Sequence, residues 1–253
     1  MTDAESGQDW QVEQLRLTAF PVEAAPTHGL DWWQSLSGAP ATSRMERPSE
    51  GVLIEQGPFS AEAGLNALLT LELGPMRIDW RLSLRDERIP PSLPPIIGSF
   101  GIVFAPFVSL MRTWLEQAPV IQRLALGAIL LAPVEDAKAG YERLSTFLPF
   151  KLDPNSSDFL YQINRPRPAQ ALDDIEINRL SKWSVARIQS LRLTMGAANP
   201  IAEAVDVLTA CRLEFDVNTS AKWQKALPSE ALPALLDELA GLGQEIAAKG
   251  DKP

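Results

Sequence analysis

The sequence predicts an α+β protein built from two successive β-α-β3-α units, which form a curved, mainly antiparallel sheet with helices on one face. Three observations predict it. Period-two alternation marks strands, most cleanly at Arg77–Leu84, where Ile78, Trp80, Leu82 and Leu84 alternate with Arg77, Asp79, Arg81 and Ser83. Stripes at i, i+3, i+4 and i+7 mark amphipathic helices, as at Phe107, Leu110, Met111 and Trp114. The order strand, helix, three strands, helix then recurs along the chain, and helices segregated onto one face of an antiparallel sheet are a stable way to cover its apolar side.

Residues 1–10 read as a loosely attached tail. Val12–Phe20 reads as a strand with Leu15, Leu17 and Ala19 on one face. Asp31 stands where a cap would, ahead of a short helix that offers Trp32, Trp33 and Leu36 to the core. A loop rich in Ser, Pro and Gly leads to strands at Val52–Gln56, Ala67–Leu73 and Arg77–Leu84. The run Ile89–Ile96 withdraws four backbone donors at its prolines. It reads as a rigid connection, despite a P-x-x-P match at Pro91 and Pro94. The Phe107 stripe ends near Gln117, so the first unit spans 11–118 and the second 119–250, together one continuous structural unit.

Val120–Ala132 opens the second unit and is apolar on both faces, as suits a central strand. Ala137, Tyr141, Leu144 and Leu148 describe a helix stopped by Pro149. Strands follow at Phe159–Asn164, around Trp183–Leu193 and at Val207–Val217, and a shift of apolar phase at Ser190 predicts a β-bulge. Ser229 is placed to cap the last helix, Glu230–Ala248, whose stripe runs through Leu232, Leu235, Leu236, Leu239, Leu242 and Ile246. The two opening strands also exit alike: Ala19-Phe20-Pro21-Val22-Glu23-Ala24-Ala25 matches Leu131-Ala132-Pro133-Val134-Glu135-Asp136-Ala137, as an internal repeat would.

The chain has 253 residues and a net charge of -9, from 23 basic and 32 acidic side chains. That sign repels phosphate, which argues against duplex nucleic acid and against anionic membrane surfaces. No apolar run reaches the roughly 18 residues that cross a bilayer. The acidic start Met1-Thr2-Asp3-Ala4-Glu5 is unlike a secretory signal, and one cysteine makes no internal disulfide, so the expectation is a cytoplasmic protein. A single His and a single Cys leave no metal or cofactor site legible, and no nucleotide or nucleophile motif is present. His28 lies in a Pro/Gly turn and reads as a loop residue; Cys211 alternates into the buried face of a strand, where a thiol is inert.

If helices cover one sheet face, the other collects Arg77, Asp79 and Arg81 with Arg212, Glu214 and Asp216, joined by Gln14, Arg16, Thr18, Gln162 and Asn164. These are the candidate binding residues, since arginines on a face suit carboxylate or phosphate partners. No catalytic residue is assigned, because neighbouring arginines would hold paired carboxylates ionised. A second basic cluster lies at Arg165, Arg167, Arg179, Lys182, Arg187 and Arg192, and Trp10 and Trp223 have no clear inward phase, as an exposed interface pair would not.

In element order the chain resembles the duplicated TATA-binding-like saddle. Its strand from Arg123 (R-L-A-L-G) and the L-E-F-D-V strand before an acidic terminal helix resemble a sporadically distributed family of uncharacterised bacterial proteins. The middle strand of that family reads R-x-G-L-R-Y-x-N, and Arg123–Leu130 lacks its second Arg, its Tyr and its Asn. The resemblance implies a bacterial origin and no known activity. The expectation is a non-enzymatic protein that binds another protein, a basic one by electrostatics, as adaptor, immunity-type neutraliser or assembly subunit. Self-association stays open. The alternative is a small-ligand or hydrolytic domain with a pocket between sheet and helices.

Overall fold

The computed structural model describes residues 10–25, 31–59, 65–85, 94–195 and 200–252. The tail before Trp10, the turn holding His28 and the proline-rich run through Leu93 lie outside them. In chain order the strands are β1 Gln11–Pro21, β2 Ser43–Arg47, β3 Val52–Pro58, β4 Ala67–Gly74, β5 Arg77–Leu84, β6 Gly98–Ser99, β7 Ile121–Val134, β8 Leu160–Asn164, β9 Arg167–Pro168, β10 Glu176–Met195 and β11 Pro200–Thr219. The helices are α1 Trp32–Ser37, α2 Phe100–Leu115, α3 Ala137–Leu144 and α4 Leu232–Lys249.

The strands form one open antiparallel sheet in the order β2-β3-β4-β5-β1-β7-β11-β10-β8, with β6 beside β1 and β9 beside β10. The expected α+β class therefore holds: among the described residues, four helices lie on one side of an 11-stranded sheet. Period two decides what they cover. Leu15, Leu17 and Ala19 of β1, Ile78, Trp80 and Leu82 of β5, and Leu213, Phe215 and Val217 of β11 are all buried in one cluster. Against them α2 sets Phe104, Phe107, Met111 and Trp114, and α4 sets Leu235, Leu236 and Leu239. Trp33 stacks on Trp80 at 6.1 Å, and Trp114 meets both Trp80 and Trp32 edge-on.

Trp10 is fully buried rather than an exposed contact residue: its Nε1 donates to Ala247 O at 3.0 Å, and its ring packs on Phe147 and Trp183. Trp223 is partly buried against the core. The exposed Trp pair is thus corrected. So are both helix caps. Asp31 makes no side-chain cap bond, and a 3-10 turn at Ser229–Ala231 precedes α4, whose start is also uncapped. Asp136, by contrast, accepts from Ala139 N at 2.8 Å and caps α3.

Besides the two-residue strands β6 and β9, two elements escape the periodicity. β2 (S-R-M-E-R) is exposed at every position, so it carries no apolar alternation to read. α2 starts at Phe100 rather than near Phe107 and runs through Pro106, whose ring removes one helical hydrogen bond that packing of Phe100, Val103 and Phe104 offsets. The bulge expected at Ser190 is present, as a register shift between Ser190 and Leu191. The β10–β11 hairpin is longer than expected. Its pairing continues to Met195↔Pro200, whereas β7 pairs β11 only from Thr209 and β8 pairs β10 only up to Ser184.

The basic cluster near Arg165 is also resolved differently from a free positive patch. Asp251, just past α4, accepts from Arg165 Nε at 2.5 Å and from Tyr161 OH at 2.6 Å, while Glu245 pairs with Arg167 and Arg179. Burial alone would raise the Asp251 carboxyl, but the bonds from Arg165 and Tyr161 outweigh it and hold its pKa below the ordinary value. Gly250 makes the turn that delivers it. At φ 73°, ψ -151° a Cβ would fall 2.1 Å from the Phe147 carbonyl oxygen, which accepts from Asp251 N at 2.8 Å.

Two outcomes follow. Gly250→Ala should lose about 3 kcal/mol or more in urea unfolding, through strain and a backbone clash together. Asp251→Asn should cost about 1–3 kcal/mol at pH 7 by removing a charged acceptor. A depressed carboxyl contributes stability above its unfolded pKa and loses it as pH falls through the folded one. The difference between Asp251→Asn and the parent should therefore shrink in unfolding curves taken at progressively acid pH.

Candidate functional site

The face away from the helices is built from the alternate residues of the same strands. Gln14, Arg16 and Thr18 of β1 stand opposite Ser83, Arg81 and Asp79 of β5 on one side. On the other side they stand opposite Ile129, Gly127 and Ala125 of β7, which in turn oppose Glu214, Asp216 and Asn218 of β11. β10 and β8 extend these rows with Lys182 and Gln162, and with Leu180 and Asn164. All six candidate binding residues lie on this face, in two groups flanking β1 and β7.

In the first group Arg77 Nε donates to Asp79 at 2.6 Å, Thr18 Oγ1 donates to the same carboxylate at 2.5 Å, and Arg81 pairs with Glu72 of β4 at 3.6 Å. The hydrogen bond to Asp79 is the main cause holding Arg77 above its ordinary pKa. In the second group Arg212 lies 3.4 Å from Glu214, and Lys182 donates to Glu214 at 3.0 Å. Asp216 accepts from Asn218 Nδ2 at 2.6 Å.

One bridge joins the rows. Arg16 reaches across β7 to Asp216 at 3.4 Å, passing over Gly127, which stands between them and has no side chain to block the way. With Ala125 beside it, Gly127 leaves a trough along β7. At the Gly127 row that trough opens into a depression of about 220 Å3, edged by Gln14, Arg16, Gln162, Lys182, Glu214 and Asp216.

Glu13 belongs to this site and was not expected there. Val12 opposes Leu130 and Gln14 opposes Ile129, so Glu13 is the extra residue of a β-bulge. The bulge sets its carboxylate 3.6 Å from Arg212. Burial pushes the Glu13 carboxyl above its ordinary pKa; Arg212 pulls it down and Glu214 pushes it further up. The sequence did hold a signal. The inward apolar positions of β1 run Val12, Leu15, Leu17, Ala19, and the three-residue gap after Val12 is the mark of the bulge.

A pocket of about 160 Å3 also lies between α1 and the β2–β3 edge, lined by Asp31, Trp33, Gln34, Arg44 and Glu55. Its buried carboxylate, Glu55, is raised in pKa by burial and paired with Arg44 at 3.0 Å. Cys211 is buried with its pKa pushed up to about 11 by burial, and its Sγ sits 3.4 Å from Gly140 O. Among the described residues, no three His, Cys, Asp or Glu side chains come together as a metal site, and no helix is long and apolar enough to cross a membrane.

In 13C-detected NMR titration Glu13 should ionise above the ordinary glutamate range, and Arg212→Ala should raise its pKa further. A Glu13 that titrates normally in both proteins would remove the bulge carboxylate from the site.

Compared with known proteins, the chain matches no family model and no curated protein.

Proposed function

We propose that this chain is a non-enzymatic cytoplasmic protein of bacterial origin that holds another protein on its open sheet face. The observation that supports this most is the state of the carboxylates there. Asp79, Glu214 and Asp216 each contact a cation, so the face presents its carboxylates as ion pairs. A wide polar face that none of the described helices covers offers charged pairs that a partner can bridge or replace. Cations and carboxylates on it nearly balance, so the chain's charge of -9 resides mainly elsewhere. Contact on this face is then polar and paired, while the distant acidic excess steers a basic partner towards it.

The internal duplication is part of the same proposal. In each half the first strand lies at the centre, the next long strand lies at the outer edge and the following ones step back inward, as two related units joined at β1 and β7 would. A second reading, binding of a small ligand between sheet and helix, is favoured by the pocket at Trp33 and Glu55.

The test is capture from the native host, followed by titration with the purified captured partner. Alanine at Arg77, Arg81 and Arg212 should leave the thermal melt cooperative and weaken that partner about tenfold or more, ~1.4 kcal/mol. Unchanged affinity in the triple variant would discard the sheet face as the contact surface.

A further inference from the structure

The edge of an open sheet carries unpaired backbone groups, and a long unguarded edge invites another strand. The described edges of this sheet differ in how they are guarded. β2 closes one end with Arg44, Glu46 and Arg47, all exposed. β8 closes the other with a short strand, Leu160–Asn164, followed by Pro166 and Pro168. Past Ser184 and Thr209, where β8 and β7 stop pairing, no other described strand flanks the β10–β11 hairpin. The outer edge of β11 there is interrupted by Pro200, by the acids Glu203 and Asp206, and by Val205, the extra residue of the bulge.

The outer edge of β10, Val185–Met195, has none of these devices. It reads V-A-R-I-Q-S-L-R-L-T-M, without proline, glycine or acid, and the bulge adds no residue to it. At the usual rise per residue it is about 33 Å long. Alternation decides where its backbone groups point. Ser220 N donates to Glu176 O at 2.7 Å on the β11 side, and Arg165 N donates to Arg179 O at 3.2 Å on the β8 side. Even-numbered residues of β10 therefore bond β11, and odd-numbered ones turn their N–H and C=O groups to the outer edge. A two-stranded ribbon is marginally stable at best in water, and further strands are what it lacks.

We propose that this edge pairs with the same edge of a second copy of the chain, forming a closed two-fold dimer with one continuous sheet. The edge is complementary to itself. With Ser190 on the axis, Val185 faces the partner's Met195, Arg187 the partner's Leu193 and Gln189 the partner's Leu191, so odd residues meet odd residues throughout. Full overlap forms about twelve backbone hydrogen bonds, within the roughly 5–15 that specific interfaces carry. Like charges never stand opposite, since Arg187 faces leucine and Arg192 faces the partner's Ile188. Each ribbon also fills the step beside the other copy's β8, where Leu160 is 57% exposed. The interrupted edge of β11 offers no matching outer strand, so assembly closes at two copies. The dimer goes beyond the sheet-face reading and does not depend on it. Its axis runs perpendicular to the sheet and leaves both open faces bare.

The test uses the full chain. Sedimentation equilibrium at micromolar concentration should give a dimer. Gln189→Pro removes one outward donor per copy and no bond to β11, so it should weaken the dimer about tenfold or more while the thermal melt stays cooperative. Cysteines then read the register, with Cys211 buried and out of reach. Ser190→Cys sets two thiols across the axis at the Cα spacing of about 4.5 Å of a facing pair, so mild oxidation should crosslink it. Ala186→Cys faces the partner's Thr194 and should not crosslink to itself. Alanine at Arg77, Arg81 and Arg212 should leave the dimer unchanged, which separates this outcome from that of the capture experiment. A monomer at every concentration overturns the proposal, also where a captured host protein takes the edge instead. So do a dimer that Gln189→Pro leaves intact, species that keep growing with concentration, and equal crosslinking of the two cysteine variants.

Discussion

Ten residue pairs between β1 and β7 are the only strand pairing that joins the two meanders into one sheet, among the described residues. The pairing settles two things at once. On one side it lines up Leu15 with Ala128, Leu17 with Leu126 and Ala19 with Leu124, the apolar rows that α2 and α4 cover. On the other it sets Arg16 against Gly127 and Thr18 against Ala125. A slip of one residue would exchange these sets and send Arg16 into the core. Burial of Leu15, Leu17 and Leu126 opposes such a slip, at about 1.5–3 kcal/mol for each large apolar side chain.

The character of the open face follows from that register. Small residues on the central strand let long side chains from either side lean over it, so charges three strands apart interact; Asp216 on β11 helps raise the pKa of Arg77 on β5. The bulge at Glu13 adds a carboxylate to a row where regular pairing would have turned it away. Such pairs add little to stability, since half-exposed ion pairs contribute at most about 1 kcal/mol each.

The far end of the molecule is organised by a different balance. α4 ends in a glycine-only turn that inserts Asp251 between Arg165 and Tyr161. The arginines beside β8 and β9 that look like a basic patch in the linear sequence are consumed there by Asp251 and Glu245. An acidic helix end and a basic strand edge, 78 residues apart at Arg167 and Glu245, neutralise one another on folding.

Alternation and helical stripes were enough to predict the α+β class, the strands β1, β3, β4, β5, β7, β8 and β11, the bulge at Ser190 and the face that carries Arg77, Asp79, Arg81, Arg212, Glu214 and Asp216. Those features are set by burial, and burial leaves a period in the chain. Where burial leaves no period, the sequence is silent. β2 is exposed throughout and reads as a loop, and Pro106 hides the first turns of α2. Trp10 becomes core through a bond to Ala247, 237 residues away. The tertiary structure alone decided which charges meet: that Arg16 crosses Gly127 to Asp216, that Glu13 joins Arg212, and that Asp251 gathers Arg165 and Tyr161. Partner choice among charged side chains depends on distances of a few ångströms between strands remote in sequence, and no spacing along a single strand encodes that.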